Sequence, residues 1–187
     1  DDPRAQAWLA ENRSQLRRPL SLRRSDLIST SLTYGVLRPV ILVPRDTDWS
    51  REGEVRYMLA HELVHVRRFD ALTKLVLVAC VCVHWFNPLV WAMYVLANRD
   101  LELSCDERVV RGFGTGSRAE YARTLIAMEE TKSGLAPLYS GFSKTATEER
   151  IVAIMHIKKT SLLAVATSAS LVVGIPAALA TSAAPQS

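Results

Sequence analysis

The sequence predicts a mainly α-helical domain with a small β-sheet, an α+β fold. Three observations predict it. Apolar residues recur at helical spacing over most of the chain, and residues suited to capping open the periodic runs. One stretch, Leu27 to Val43, has strand texture instead, with Ile28, Leu32, Val36 and the run Val40 to Val43 set among Thr, Ser, Tyr and Gly. Two further stretches, Leu75 to Asn98 and Ser161 to Ser187, carry no charged residue. Such runs are suited to a membrane rather than to water.

Composition narrows the class. The chain has 187 residues, 49% apolar and 22% charged, which excludes a disordered chain and a fibrous repeat. The uneven placement of the apolar residues argues against a simple cytosolic globule. Net charge is +4, and much of the excess sits early, at Arg13, Arg17, Arg18, Arg23 and Arg24. A solvated helix face or a patch lying on anionic lipid explains that arm. It shows no strand pattern and no aromatic interleaving, so no direct nucleic-acid partner is expected. Cys80, Cys82 and Cys105 are odd in number and include no CxxC pair, which fits a reducing compartment and excludes a thiolate zinc ribbon. The chain begins at Asp1 with no visible signal peptide, as expected of a piece of a longer protein.

The elements follow in order. Pro3 to Arg18 reads as a short amphipathic helix ended by Pro19. Tyr34-Gly35 is a turn, and Pro39 and Pro44 bracket Val40 to Val43, the pattern of an edge strand. Ser50 is the expected N-cap of a helix that carries Val55, Met58, Leu59, Leu63, Val64 and Val66. Asp70 is the expected cap of the next. A further helix covers roughly Trp91 to Val110, and Ser117-Arg118-Ala119-Glu120 is a capping box opening another through Glu130. Ser133 to Thr147 reads as loop and Glu148 to Lys159 as a short helix. Three segments result: an N-terminal helical and basic part (1–26), a central domain (27–159) and an apolar C-terminal stretch (160–184).

The chemistry sits in His61-Glu62-Leu63-Val64-His65. On a helix, positions i and i+4 share a face, so both imidazoles can address one ion while Glu62 reaches a water beside it. This HExxH pattern is that of zinc peptidases. Two histidines leave a catalytic zinc one protein ligand short. Glu102 and Asp106, also i and i+4, are candidates from a separate helix, with Glu107 the alternative to Glu102. The pair resembles the ExxxD of glutamate-zincins, in which the Glu binds zinc and the Asp accepts the outer N–H of a ligand histidine.

Four ordered segments then resemble the BlaR/MecR-type membrane zinc metallopeptidases. They are Tyr34 to Pro44 (YGVLRPVILVP), His61 to Asp70 (HELVHVRRFD), Trp85 to Trp91 (WFNPLVW) and Glu102 to Glu107 (ELSCDE). The resemblance covers roughly Leu27 to Lys159. It implies a zincin-like fold, Zn2+ held by His61, His65 and Glu102, Glu62 as the catalytic glutamate, and a peptidase domain on the cytoplasmic side of the cell membrane. It also implies a protein substrate, a transcriptional repressor or the chain itself, within antibiotic-resistance signalling. The chain has no SxxK, the acylation motif of a penicillin-binding sensor, so beta-lactam sensing does not follow from these residues.

Membrane geometry constrains the apolar runs. Leu75 to Asn98 is long enough to span a bilayer, yet the histidines precede it and Glu102 follows it. A single crossing would split the metal site, so Asn87-Pro88 is expected to break the run into a helical hairpin that packs on the core or dips into one leaflet. Residues 160–184, preceded by Lys158-Lys159, are the expected transmembrane helix, with the metal domain inside.

The expected reaction is zinc-assisted peptide hydrolysis with Glu62 as general base. The run Val40 to Val43 is the expected pairing strand for an extended substrate. Tyr121, Arg108 and His156 are the candidate oxyanion donors. Ser133 to Thr147 is a candidate self-cleavage segment by the resemblance. Two alternatives stand beside this reading: a housekeeping membrane protease of the HtpX/Ste24 type, and a non-catalytic signalling scaffold whose zinc is structural.

Overall fold

The computed structural model describes residues 3–13, 16, 18–133 and 140–157. Residues 1–156 form one compact unit, and of a second, 157–187, only residue 157 is among the described residues. The expected transmembrane helix at 160–184 therefore falls outside them. Among the described residues no helix is long and apolar enough to cross a membrane.

The described chain runs α1 (Pro3–Arg13), β1 (Ser21–Ser25), β2 (Leu32–Tyr34), β3 (Val40–Pro44), α2 (Glu52–Arg68), α3 (Asp70–Val83), α4 (Pro88–Phe113), a single 3-10 turn (Thr115–Ser117), α5 (Arg118–Ser133) and α6 (Ser140–Met155). The mainly helical class with a small sheet holds. The sheet order is β1-β3-β2, with β1 parallel and β2 antiparallel to β3.

The strand Val40 to Val43 is central, not an edge. Its prolines stand at its ends, where the missing N–H costs no interior ladder bond. Pro39 contributes only its carbonyl, which accepts from Ser21 N at 3.1 Å. Alternation does the rest: Ile41 and Val43 are fully buried while Val40 and Leu42 are half-buried. The turn at Tyr34-Gly35 is present, with Gly35 at φ +86°, where an added Cβ would sit 2.6 Å from the Arg38 carbonyl oxygen.

The early basic residues are structural as well as charged. Arg23 and Arg24 lie in β1, a strand the sequence does not betray, because its partner is nineteen residues away in the sheet register. The first helix is described over Pro3–Arg13, and it does not extend to Leu16 or Arg18. Arg18 places its guanidinium 3.6 Å above the Phe69 ring centroid and donates to the Val36 and Val66 carbonyls. A cation is favourable there, at the C-terminus of α2.

α2 sorts its side chains by face. Val55, Met58, Leu59, Leu63 and Val66 pack on the sheet with Leu20, Ile41, Val43 and Trp49. Each such side chain removed from water contributes roughly 1.5–3 kcal/mol. Tyr57 and His61 are buried outside that cluster, and Glu62 is buried against Ser31 and Thr33. The expected Ser50 cap is displaced. Arg51 is the N-cap residue, and Ser50 instead gives its backbone N–H and hydroxyl to the Asp48 carboxylate. Phe69, in the left-handed region at φ 60°, ends α2 and starts α3, so Asp70 lies inside the first turn of α3 and is not its cap.

The break at Asn87-Pro88 is where expected. Asn87 Oδ1 accepts from Leu89 N at 2.9 Å, and Pro88 takes the first helical position, where no N–H is needed. α3 and α4 thus form a helical hairpin.

Candidate metal centre

The i, i+4 spacing on α2 brings the His61 and His65 Nε2 atoms to 3.0 Å. Glu102, from α4, places Oε2 at 3.4 Å from His61 Nε2 and 3.7 Å from His65 Nε2. Three ligands about 2.0–2.1 Å from a tetrahedral zinc would stand roughly 3.3 Å apart. Asp106, one turn beyond Glu102, approaches the other ring edge of His61, with Oδ1 3.3 Å from Nδ1. Glu107 instead pairs on the surface with Arg111.

The outer nitrogens decide the tautomers. His65 Nδ1 stands 2.6 Å from Asp70 Oδ2, an acceptor, so Nδ1 carries the proton. The Tyr121 hydroxyl donates to Asp106 Oδ1 at 2.7 Å, so it accepts from His61 Nδ1 at 2.9 Å. When neutral, both rings turn an Nε2 lone pair toward the same point. Two facing lone pairs beside a carboxylate are a donor set for a divalent cation, and imidazole with carboxylate fits zinc.

The neighbouring groups favour the protonated imidazoles, so a divalent cation would take the two Nε2 positions by displacing protons. Burial pushes the Glu102 carboxyl up, but His61 and His65 hold it far below the usual carboxylate range. Burial pushes both histidines down. Tyr121, Asp106, Cys105 and Glu102 more than offset it at His61, and Cys105 and Glu102 do so at His65. Burial raises Asp106, yet the Arg150 guanidinium brings it to about 2.

Several residues at this centre escaped the sequence reading. Asp70 is the partner of His65 Nδ1 and not a helix cap. Arg150, on α6, grips Asp106 with Nε and Nη2 both at 2.7 Å. Lys74 of α3 holds Glu102 Oε1 at 3.3 Å. Ser31 Oγ donates to Glu62 Oε1 at 2.9 Å and Thr33 Oγ1 to Glu62 Oε2 at 2.6 Å, which fixes the Glu62 carboxylate against β2. Only the alternation of Ser31 and Thr33 along a strand hinted at a shared face. Cys105 is a further metal-capable group, clustered with both histidines. Its sulfur contacts the Nδ1 edge of His61 at 3.4 Å, whereas Glu102 meets the Nε2 atoms.

These groups open onto a cleft of about 220 Å3 lined by Ser31, Thr33, His61, Glu62, His65 and Glu102, with Lys74 and Arg150 at its wall. None of the three expected oxyanion donors faces it freely. Tyr121 is buried and engaged between His61 and Asp106. Arg108 lines a separate hollow beside Trp8 and Phe113. His156 is exposed, its Nδ1 on the Val152 carbonyl. Lys74 and Arg150 are the cations that line the cleft. The self-cleavage candidate, Ser133 to Thr147, lies largely outside the described side chains.

Comparison with known proteins identifies the family. The family described as BlaR1 peptidase M56 matches residues 4–154. The regulatory protein BlaR1 of Bacillus licheniformis is 34% identical over 152 residues, 79% of this chain and 25% of the relative. The methicillin resistance mecR1 proteins of Staphylococcus aureus and Staphylococcus epidermidis are 23% identical over 115 residues, 61% of this chain and 20% of each relative. The chain thus spans a quarter or less of these relatives' length. The chain belongs to the BlaR1 peptidase M56 family.

Proposed function

We propose that the chain is the catalytic part of a membrane-bound zinc metalloendopeptidase that cleaves a protein substrate at the cytoplasmic face during regulatory signalling. A repressor or the protein itself is the substrate in that reading. The observation that carries it is the convergence of His61 Nε2, His65 Nε2 and Glu102 Oε2, with the Glu62 carboxylate on the same cleft.

His61, His65 and Glu102 would hold the zinc, and Asp70, Tyr121 and Asp106 keep both imidazoles in the ligating tautomer. When bound, zinc lowers the pKa of water and polarises a scissile carbonyl. Glu62, held by Ser31 and Thr33, accepts the proton and passes it to the leaving amine. Both sides of β3 are occupied, so the expected pairing of substrate with Val40 to Val43 does not apply. Of the two edge strands, β2 borders the cleft through Ser31-Leu32-Thr33. An extended substrate pairing there would lie beside Glu62. Lys74 and Arg150 supply positive charge for an oxyanion.

Glu62→Gln tests the reading. It should retain zinc and lose cleavage by roughly 10²–10⁴-fold. Turnover at the parent rate in that variant would remove Glu62 from the base role. Cys105 favours a second reading, a closed structural site, because structural zinc takes four protein ligands. A sulfur ligand on the metal would identify that case.

A further inference from the structure

The α3–α4 hairpin leaves an unusual surface. Leu75, Val76, Val78 and Val83 on α3, Trp85 and Phe86 at the tip, and Leu89, Trp91, Val95 and Leu96 on α4 are all exposed. Apolar side chains point outward on both helices and at the tip, not along one stripe. The largest apolar patch on a typical monomer is about 300–600 Å². A groove for one partner helix would leave the remaining sides in water, whereas a lipid phase covers all of them.

Charge returns on both helices at the same level. Lys74 is the last charged residue of α3 before the run, and Arg99 is the first on α4 after it. Lys74 and Glu102 are in contact, 3.3 Å apart, so the two helices leave this charged collar together. From Lys74 to Val83 the helix rises about 14 Å, and the half-thickness of a bilayer's hydrocarbon core is about 15 Å. The hairpin is therefore long enough to enter one leaflet and too short to cross. The collar is also the wall of the cleft: Asp70, Ala71, Lys74 and Glu102 line it.

We propose that the α3–α4 hairpin inserts into one leaflet as a re-entrant anchor, which sets the cleft at the headgroup level and selects substrate segments lying at the membrane surface. This deepens the peptidase reading and rests on it for the substrate class. It gives Lys74 a second task, since one ammonium both holds Glu102 and marks the water boundary.

The test uses the zinc-loaded 187-residue chain with phosphatidylcholine–phosphatidylglycerol vesicles. Lipids brominated along the acyl chain should quench its tryptophan emission, and Trp85→Phe/Trp91→Phe should lose that quenching. One quenched fluorescent peptide is then offered in three forms: free, lipid-anchored through a short spacer, and lipid-anchored through a long flexible spacer. Both anchored forms are concentrated on the vesicle, so only placement distinguishes them. The short-spacer form should be cleaved roughly tenfold faster than the long. Leu89→Glu/Val95→Glu should abolish quenching and that preference while leaving cleavage of the free peptide unchanged. Equal rates for the two anchored forms would overturn the substrate class. Absent quenching would overturn the anchor, and if it came with concentration-dependent dimers it would assign the surface to a second copy. Quenching without cleavage of any form would sink the peptidase reading and the substrate class, and leave the anchor standing.

Discussion

Asp70 Oδ2 stands 2.6 Å from His65 Nδ1 across the left-handed junction at Phe69. The hairpin's first turn therefore supplies the group that orients a metal-facing imidazole. Arg68 Nε, 3.3 Å from the other Asp70 oxygen, completes the contact. Asp70→Asn keeps the shape and removes the charge. Zinc affinity should fall about 10–100-fold, as for other outer partners of ligand histidines, with the helical circular dichroism unchanged. Competition with a chromophoric chelator measures it, and an unchanged affinity would assign Asp70 a purely structural role.

Ser31 and Thr33 hold the two oxygens of Glu62. Ser31→Ala/Thr33→Val frees that carboxylate without touching the metal ligands. Cleavage should drop through kcat while zinc content stays at one per chain. Loss of zinc together with activity would show that the pair supports the fold of the site and not the base.

The Arg150–Asp106 pair is bidentate and buried on the aspartate side. Arg150→Met takes the guanidinium from a buried carboxylate and leaves it only Tyr121 and His61, a loss of up to about 3–5 kcal/mol for pairs of this kind. Arg150→Lys keeps the charge but not the fork, so it should rescue only part. The pH sign follows from Asp106. Its folded pKa, about 2, lies below the ordinary 3.8, so its contribution is complete above about pH 4 and fades as pH falls toward 2. In Arg150→Met that depression is lost, and acid unfolding should begin at higher pH than in the parent.

How much of this was legible in the sequence depends on range. His61 and His65 could be paired because a helix fixes i, i+4 neighbours, and Pro88 could be placed because its ring forbids a continuous helix. Glu102 required the order of motifs, since no local rule joins α4 to α2. Ser31, Thr33 and Arg150 reach the site from 29 to 44 residues away, and beyond the alternation of Ser31 and Thr33 nothing in their own neighbourhoods marks them. β1 was hidden for the same reason: its Arg-rich residues take strand form only through pairing with β3. The two prolines of β3 suggested an edge because they were weighed as breakers, when their position at the ends makes them harmless.

Cys105 tests the open site against the closed one. Its sulfur lies at the Nδ1 edge of His61, so the zinc K-edge absorption spectrum should contain nitrogen and oxygen neighbours alone. A sulfur scatterer near about 2.3 Å would make the site four-coordinate by protein and favour a structural metal.

The most direct measurement is the zinc content of purified Glu102→Ala beside the parent chain and His65→Ala, determined by plasma mass spectrometry after dialysis. One zinc per chain in the parent, and loss of bound metal in both variants, is the predicted result. Full zinc retention in Glu102→Ala would show that the carboxylate 3.4 Å from His61 Nε2 is not a ligand, and would contradict the metal centre described above.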